Sequence, residues 1–235
     1  MGAAMANINW TQAVDGGMYT VAQAARLLAA KPQKVRSWIE AYPNSEAPPI
    51  LQRDFPRIGG QVVLSFLDLV ESAFVRHFLA LGYTPQTIRA VARELRQRHE
   101  TDHPFAMEKR FRADGKSIFE EVVSEAGEQQ LVNLMNDNFE IVPVVERSLF
   151  DQVFYVNDIA HQWMPLPGHD RIVVNPKIAF GRPVIREVWV PTERLMQSYL
   201  LEGSAEEAAE EWGVSEADVY AAVRFENELE KQALH

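Results

Sequence analysis

Four hydrogen-bond donors lie close together within residues 19–40, YTVAQAARLLAAKPQKVRSWIE, where helical spacing places them on one face. They are Gln33, Lys34, Arg36 and Ser37. The apolar residues Val35, Trp38 and Ile39 fall on the opposite face. Long amide and cationic donors contact phosphates and base edges in complexes with DNA. The pattern predicts a DNA-contacting helix, and the alternative is an ordinary helical hairpin with a solvated polar face.

Two short helices and a tight turn are needed to position these donors. Thr20 can cap a first helix, because its hydroxyl can accept a hydrogen bond from a free backbone N–H. The apolar positions of that helix recur at three- and four-residue spacing: Val21, Ala24, Ala25 and Leu28. Pro32 suits the start of the second helix, since proline has no amide hydrogen to leave unpaired. The segment predicts a helix-turn-helix, and we count Thr20 among the residues that contact DNA.

A second group has the spacing of a chemical site. His99-Glu100-Thr101-Asp102-His103 fits the H-E-x-x-H pattern of zinc proteases. That chemistry requires both histidines on one face of a stable helix, with the glutamate acting as a base. Here Pro104 follows directly and ends the helix. We therefore expect a solvated helix end with no metal and no cofactor, and a zinc hydrolase is the alternative.

A hairpin and two further helices are predicted after the helix-turn-helix. Residues 50–53 and 61–64 have the pattern of short strands, with a turn at residues 57–60. Such a hairpin is a wing, and Arg53 and Arg57 would lie along the phosphate backbone; a solvated surface hairpin is the alternative. The helices cover residues 66–81 and 86–99, and the outer face of the second contains Arg89, Arg93, Arg96 and Arg98.

The order of these elements resembles the MerR family of winged-helix DNA-binding proteins over about 80 residues. The matching blocks are Tyr19-Thr20-Val21, Ala24-Ala25-Arg26-Leu27-Leu28, Lys34-Val35-Arg36-Ser37-Trp38, Ser65-Phe66-Leu67-Asp68-Leu69 and Leu81-Gly82-Tyr83-Thr84-Pro85-Gln86-Thr87-Ile88. The resemblance implies base contacts from the second helix and phosphate contacts from the wing. It ends after the fourth helix, because MerR-like proteins continue into a long dimerising coiled coil and Pro104 follows here.

Composition and charge indicate a globular protein with two tasks. The 235 residues are 47% hydrophobic and 24% charged, and the absence of cysteine excludes disulfides and cysteine-ligated metals. We expect a cytoplasmic protein, because no signal-peptide pattern or membrane-spanning apolar run occurs. Residues 19–100 contain 11 Lys and Arg against 7 Asp and Glu, whereas residues 101–235 contain 12 against 25. The basic part would attract phosphates, and the acidic part is expected to bind a protein.

The middle of the chain contains fewer signals. Two strands around Ala113-Asp114-Gly115-Lys116 are predicted within residues 104–123, followed by a strand at 130–134, a helix at 144–154 and a strand at 163–166. No nucleophile, base and orienting residue can be grouped there, so we expect a protein that is not an enzyme.

The predicted domains are a flexible arm, a winged-helix domain, an α/β connector and a C-terminal helical module, covering residues 1–18, 19–103, 104–169 and 170–235.

The C-terminal module is predicted as short strands followed by three helices. The strands cover residues 171–174 and 181–185, and the helices, the first capped by Thr192, cover residues 192–201, 205–212 and 216–230. Ser204 with Glu207, and Ser215 with Asp218, form capping boxes. The last two helices also contain many carboxylates: Glu206, Glu207, Glu210, Glu211, Glu216 and Asp218. Since carboxylates repel phosphates, the pattern predicts a protein-binding or dimerising unit, and paired catalytic carboxylates are the alternative.

This module resembles the widespread antitoxin domain that accompanies PIN-type ribonuclease toxins, over about 60 residues. The matching residues are Ile172-Val173-Val174-Asn175-Pro176, Gly181-Arg182-Pro183-Val184-Ile185, Val190-Pro191, Leu195, Glu202-Gly203-Ser204-Ala205-Glu206-Glu207, Trp212-Gly213-Val214-Ser215 and Val219-Tyr220-Ala221-Ala222-Val223. The sequence departs where Gly-Thr-Arg is usual, because Glu187-Val188-Trp189 stands there. With the MerR-like segment, the resemblance implies a VapB-type antitoxin that binds a ribonuclease and its own promoter.

The resulting prediction is an α+β protein, mainly α with short β elements. It combines a winged helix-turn-helix, a connector and a trihelical module. We expect a homodimer or a hetero-oligomer with the toxin, and assign the partner-facing residues as Arg182, Arg186, Trp189, Glu206 and Glu210. The alternative is a stand-alone MerR-like regulator with an apolar effector pocket formed by Trp163, Met164, Phe180 and Trp189.

Overall fold

The fold is α+β. The computed structural model describes residues 16–41, 47–107, 122 and 150–233. Seven α-helices occur in these residues: Val21–Leu27 (α1), Pro32–Ile39 (α2), Phe66–Ala80 (α3), Pro85–His99 (α4), Thr192–Glu202 (α5), Ala205–Trp212 (α6) and Glu216–Ala233 (α7). Six short strands accompany them: Tyr19–Thr20 (β1), Val63–Leu64 (β2), Val153–Val156 (β3), Ile159–Trp163 (β4), Ile172–Val174 (β5) and Pro183–Ile185 (β6).

The chain divides into two compact units, neither of which is continuous in sequence. The first unit contains the described residues of Met1–Pro32, Phe55–Phe66 and Gln162–His235, and the second those of Gln33–Asp54 and Leu67–His161. The predicted helix-turn-helix is therefore divided, with α1 in the first unit and nearly all of α2 in the second. The predicted turn at residues 113–116 and the strand at 130–134 lie outside the described residues.

The first unit combines a two-stranded sheet, a helical module and strands β5 and β6. β1 pairs antiparallel with β2, joining Tyr19 to Leu64. β5 pairs with β6 in the same antiparallel sense, and Trp163 at the end of β4 pairs with Val174. Helices α5, α6 and α7 pack on one another, and α7 also packs on α1. The apolar faces of these elements form the buried interior: Val21, Ala24, Leu28, Ile172, Val184, Leu195, Ala208, Val219, Ala222 and Phe225.

Local capping explains where several helices of the first unit begin. Thr20 Oγ1 accepts a hydrogen bond from the Gln23 backbone at 3.2 Å, and the Gln23 side chain accepts one from the Thr20 backbone at 2.9 Å. Ser204 and Ser215 both cap their helices, because each hydroxyl accepts a backbone hydrogen bond three residues on. The full capping box is confirmed at Ser215, whose N–H donates back to Asp218, whereas Glu207 does not accept from the Ser204 N–H. The predicted cap at Thr192 is wrong: α5 begins after Pro191, and the Thr192 hydroxyl bonds to Glu226 instead.

The second unit is built around α3 and α4. Residues 68–75 of α3 are buried on every side of the helix, whereas α4 is amphipathic. Helix α4 begins at Pro85 after a cap in which Thr84 Oγ1 accepts from the Thr87 backbone at 3.2 Å. A short 3₁₀ turn, Pro104–Ala106, then buries Phe105 against α3. The Phe105 ring lies 5.4 Å from that of Phe78 and 6.4 Å from that of Phe74, centroid to centroid. This aromatic cluster fixes the chain that follows α4, where the predicted strands of residues 104–123 were expected to begin.

Three further strand and helix predictions are corrected by the structure. Residues 50–53 do not form a strand; the Leu51 N–H donates to the Trp38 carbonyl of α2 at 2.9 Å. Strand β2 pairs with β1 instead of with residues 50–53. Of the predicted hairpin, the isolated Ile58–Gln61 bridge is formed. Residues 153–154 lie in β3 rather than in the predicted helix. The observed strand β4 ends at Trp163, where the strand predicted at 163–166 was expected to begin. Pairing across the chain, rather than local propensity, determines these elements.

Candidate nucleic-acid and protein-binding surfaces

Helix α2 presents its polar side chains to solvent. Gln33, Lys34 and Arg36 are exposed, while Val35, Trp38 and Ile39 on the other face are buried. Ser37 is half-buried, and its hydroxyl donates to the Lys34 carbonyl at 2.7 Å. No described residue pairs with the charged groups of Lys34 or Arg36. The burial pattern is the one predicted, and it leaves three long donors of one helix available.

The other three residues predicted to contact DNA are engaged within the protein. The Thr20 hydroxyl forms the capping box of α1. The side chain of Arg53 is only 18% exposed, and its guanidinium lies 4.0 Å from the Glu40 carboxylate. Arg57 is exposed, but it donates to the Gly60 carbonyl at 3.2 Å across the turn. Arg53 therefore supports the fold around α2, and Arg57 stiffens a surface turn.

Two arginines of the predicted outer face of α4 bind the chain before α3. Arg89 donates to the Pro48 carbonyl at 2.7 Å. Arg96 donates to the Ile50 carbonyl at 3.1 Å and to the Asp102 carbonyl at 3.3 Å. Burial lowers the pKa of Arg96, and the charges of Glu71 and Asp102 oppose that shift. The sequence contains no local signal for these contacts, since the acceptors lie more than 40 residues away for Pro48 and Ile50.

The H-E-x-x-H pattern does not form a helical zinc site. Helix α4 ends at His99, and Glu100 has the left-handed φ of 50° that closes the helix. His103 lies beyond that end and is buried among carboxylates. The two histidines are therefore not on one helical face, which the protease chemistry requires.

His103 is the centre of a polar cluster in the second unit. Its Nε2 lies 2.8 Å from Asp54 Oδ1, and its Nδ1 lies 3.1 Å from Glu71 Oε2 and 3.9 Å from Asp68 Oδ1. Burial alone would lower the pKa of His103, but hydrogen bonds to Asp54 and Glu71 and the charges of both raise it to about 10. Sequence reasoning missed this cluster, because its members come from three separate segments.

The partner-facing residues predicted in the first unit are all exposed. Arg182, Arg186, Trp189, Glu206 and Glu210 reach solvent. Arg182 lies 3.9 Å from Glu193, and both side chains are more than half exposed. Trp189 is 41% exposed and has a positive φ of 59°, a backbone conformation that is uncommon for a large aromatic residue. These residues are accessible in the first unit as a partner surface requires.

The exposed surface of the C-terminal helices is both acidic and apolar. Asp218 is buried, where Ser215 and Arg171 lower the pKa of its carboxyl against the opposing effect of burial. The Glu211 carboxylate accepts from Ser198. The remaining carboxylates of α6 and the start of α7 are exposed, namely Glu206, Glu207, Glu210 and Glu216. Large apolar side chains are exposed on the same three helices: Leu200, Leu201, Trp212 and Tyr220.

The four residues predicted to line an effector pocket differ in their exposure. Trp163 is buried and Phe180 is 77% exposed. A different cavity, of about 350 Å³, lies in the first unit and is lined by residues that include Tyr19, Arg26, Phe180, Arg182 and Glu226. Of the four residues predicted, only Phe180 lines this cavity.

A partly buried ion pair lies at one wall of this cavity. Glu226 of α7 is 2% exposed and accepts hydrogen bonds from Thr192 and from Arg26 of α1, the latter at 2.5 Å. Nearby, the Tyr19 hydroxyl donates to the Gly181 carbonyl at 2.9 Å. A Cβ at position 181 would lie 2.2 Å from that hydroxyl oxygen, so glycine is required there. Both contacts join residues far apart in sequence and were missed for that reason.

Part of the chain is similar to a described protein family, and most of it is similar to one solved structure. Residues 172–225 match a family described as "Protein of unknown function (DUF433)". The chain is similar to the X-ray crystal structure of Rv2018 from Mycobacterium tuberculosis, with a TM-score of 0.70 and 20% sequence identity, over 87% of this chain and 96% of that chain. This likeness shows a shared fold. No curated protein matches the sequence, and no described helix is long and apolar enough to cross a membrane.

Proposed function

We propose that this protein is the antitoxin of a toxin–antitoxin module, and that it also represses its own operon by binding promoter DNA. The observation that supports it most is the different chemistry of two exposed surfaces. Helix α2 presents Gln33, Lys34 and Arg36 to solvent. The C-terminal helices of the first unit instead present carboxylates and large apolar side chains.

The DNA-binding part of the proposal depends on the donors of α2. Lys and Arg side chains neutralise phosphates, and Arg and Gln form paired hydrogen bonds with base edges in the major groove. The buried face of α2 fixes the orientation of the helix, so its donors are displayed without further folding. A homodimer would place two such helices on successive half-sites of an operator.

The protein-binding part depends on the C-terminal module. Carboxylates of α6 and α7 favour a basic partner, and a ribonuclease that binds RNA has a basic surface. Exposed aromatic and aliphatic side chains supply the apolar contacts that dominate protein interfaces. The partner would be a PIN-type ribonuclease whose RNA-binding surface is covered in the complex, and Arg182, Arg186 and Trp189 would add contacts from the neighbouring loop.

Co-expression with the product of the neighbouring reading frame tests the proposal. We expect a stoichiometric complex and rescue of growth from a toxin that inhibits growth when expressed alone. The double charge reversal Glu206→Lys with Glu210→Lys should weaken the complex at least tenfold, because it places cations against a basic surface. The matched control is Glu230→Lys, at an exposed position in the last turns of α7. Absence of any complex and of any rescue contradicts the antitoxin function.

The cavity supports a second candidate function, that of a regulator controlled by a small molecule. Its volume of about 350 Å³ is in the range of small-ligand sites, and it includes an exposed aromatic ring and two arginines. Saturable thermal stabilisation by small aromatic carboxylates, lost in Arg26→Gln, would support it. If the protein forms the toxin complex and small aromatic carboxylates do not stabilise it, the small-molecule regulator is contradicted and the antitoxin function remains.

A further inference from the structure

The cluster around His103 brings together the ligand types of a metal site. One oxygen of Asp54, one of Asp68 and a ring nitrogen of His103 lie within 4.8 Å of one another. Asp68 and Glu71 are fully buried, and His103 is 9% exposed. The Asp54 side chain is 32% exposed, so solvent reaches the cluster from that side. An ion can therefore enter a site whose other ligands are shielded from water.

The carboxylates of the cluster are oriented by the backbone. Asp68 Oδ2 accepts from the Asp54 N–H at 3.3 Å, and Glu71 Oε1 accepts from the Phe105 N–H at 3.0 Å. Their other oxygens, Asp68 Oδ1 and Glu71 Oε2, are the ones that lie 3.9 Å and 3.1 Å from His103 Nδ1. Outer hydrogen bonds of this kind hold metal ligands in place in proteins. The arrangement orients one oxygen of each buried carboxylate before any ion is bound.

We propose that this cluster binds a divalent transition-metal ion, with His103, Asp54 and Asp68 as its ligands. The ion binds Nε2, which faces Asp54, and Glu71 accepts the N–H at Nδ1. Asp68 Oδ1, which lies 3.9 Å from Nδ1, turns toward the ion to complete the ligand set. That pairing of a carboxylate with the outer nitrogen of a ligating histidine fixes the ring tautomer and increases the basicity of the ligand. The ion replaces the proton that Asp54 and the imidazole share. The site is independent of the proposed function and differs from the H-E-x-x-H pattern, because His99 is not part of it.

The ligand set selects the kind of ion. One imidazole with oxygen ligands suits Zn²⁺, Mn²⁺ or Fe²⁺, whereas Mg²⁺ and Ca²⁺ prefer oxygen ligands alone. The absence of cysteine removes the thiolates that bind Cu⁺ most tightly. Zn²⁺ and Mn²⁺ are therefore the appropriate probes, and Mg²⁺ is the control ion.

Binding to the chelator-treated full-length chain tests the site. Calorimetric titration with ZnCl₂ or MnCl₂ should show one saturable site per chain and a rise in the melting temperature, and MgCl₂ at the same concentration should show neither. Asp54→Asn removes a ligand from a partly exposed position and is expected to leave the fold intact. It should weaken binding at least tenfold, and His103→Gln should weaken it further.

The matched control is Asp102→Asn, which removes an exposed carboxylate next to His103 in sequence. This variant should bind Zn²⁺ with the affinity of the unaltered chain. Absence of saturable binding overturns the proposal. Binding that persists unchanged in Asp54→Asn also overturns it, because the ion is then held by other groups.

Discussion

Helices α2 and α4 both carry basic side chains, and the two sets have different surroundings within the second unit. Lys34 and Arg36 of α2 extend into solvent. Arg89 and Arg96 of α4 donate to the carbonyls of Pro48 and Ile50, at 2.7 and 3.1 Å. Basic side chains are therefore available for a binding partner on α2, whereas on α4 they form hydrogen bonds within the protein. The difference follows from what packs beside each helix, and the following predictions test it.

The largest expected effect is on stability, at Arg96. In Arg96→Ala the carbonyls of Ile50 and Asp102 lose a charged donor, and the first of these lies in a partly buried region. Hydrogen bonds from charged groups contribute about 1.5–3 kcal/mol each, so we expect a loss of about 3 kcal/mol in the free energy of unfolding. Urea unfolding followed by circular dichroism measures it. An unchanged urea midpoint would show that Arg96, like the exposed donors of α2, does not stabilise the fold.

The next effect is on DNA affinity, at Arg36. Arg36→Ala should weaken operator binding by about 1–3 kcal/mol if the side chain contacts a base, and should leave urea unfolding unchanged because Arg36 is exposed. Fluorescence titration with the promoter of the operon measures the affinity. Unchanged affinity would remove Arg36 from the DNA-contacting set.

A smaller effect is expected at Lys34. If its ammonium contacts a phosphate, Lys34→Ala should weaken binding to all sequences alike. It should also reduce the slope of log affinity against log salt by about 1. Titrations at several salt concentrations separate this result from loss of a base contact, which would relax sequence preference instead.

The smallest effect is expected at Arg93, an exposed residue of α4. Arg93→Ala should change the free energy of unfolding by no more than about 0.5 kcal/mol, as is usual for exposed positions. It should also leave DNA affinity unchanged. Weaker DNA binding in this variant would mean that the contact surface extends from α2 onto α4.

Features that depend on neighbouring residues could be predicted from the sequence. The starts of α6 and α7 follow from Ser204 and Ser215, because each hydroxyl meets a backbone N–H three residues away. The buried and exposed faces of α2 follow from helical periodicity in the same way. Both predictions require only the geometry of one helical turn.

Features that join distant segments could not be predicted. Thr192 has the type and position of a cap, but its hydroxyl bonds to Glu226, which lies 34 residues later. Residues 50–53 have strand propensity, yet β2 pairs with β1 and Leu51 bonds to α2. The cluster at His103 draws on Asp54, Asp68 and Glu71 for the same reason. In each case a partner supplied by the tertiary fold outweighs the local preference.

The contacts of Tyr19 and Arg26 with Gly181 and Glu226 also determine when this part of the protein can fold. The partners are separated by 162 and 200 residues of chain. At a synthesis rate of about 5–20 residues per second, Arg26 leaves the ribosome about 10–40 s before Glu226. During that time α1 lacks the surface of α7 on which it packs. A protease that removed α7 from the folded protein would expose α1 again. The packing of the N-terminal helix therefore depends on an intact C-terminal helix.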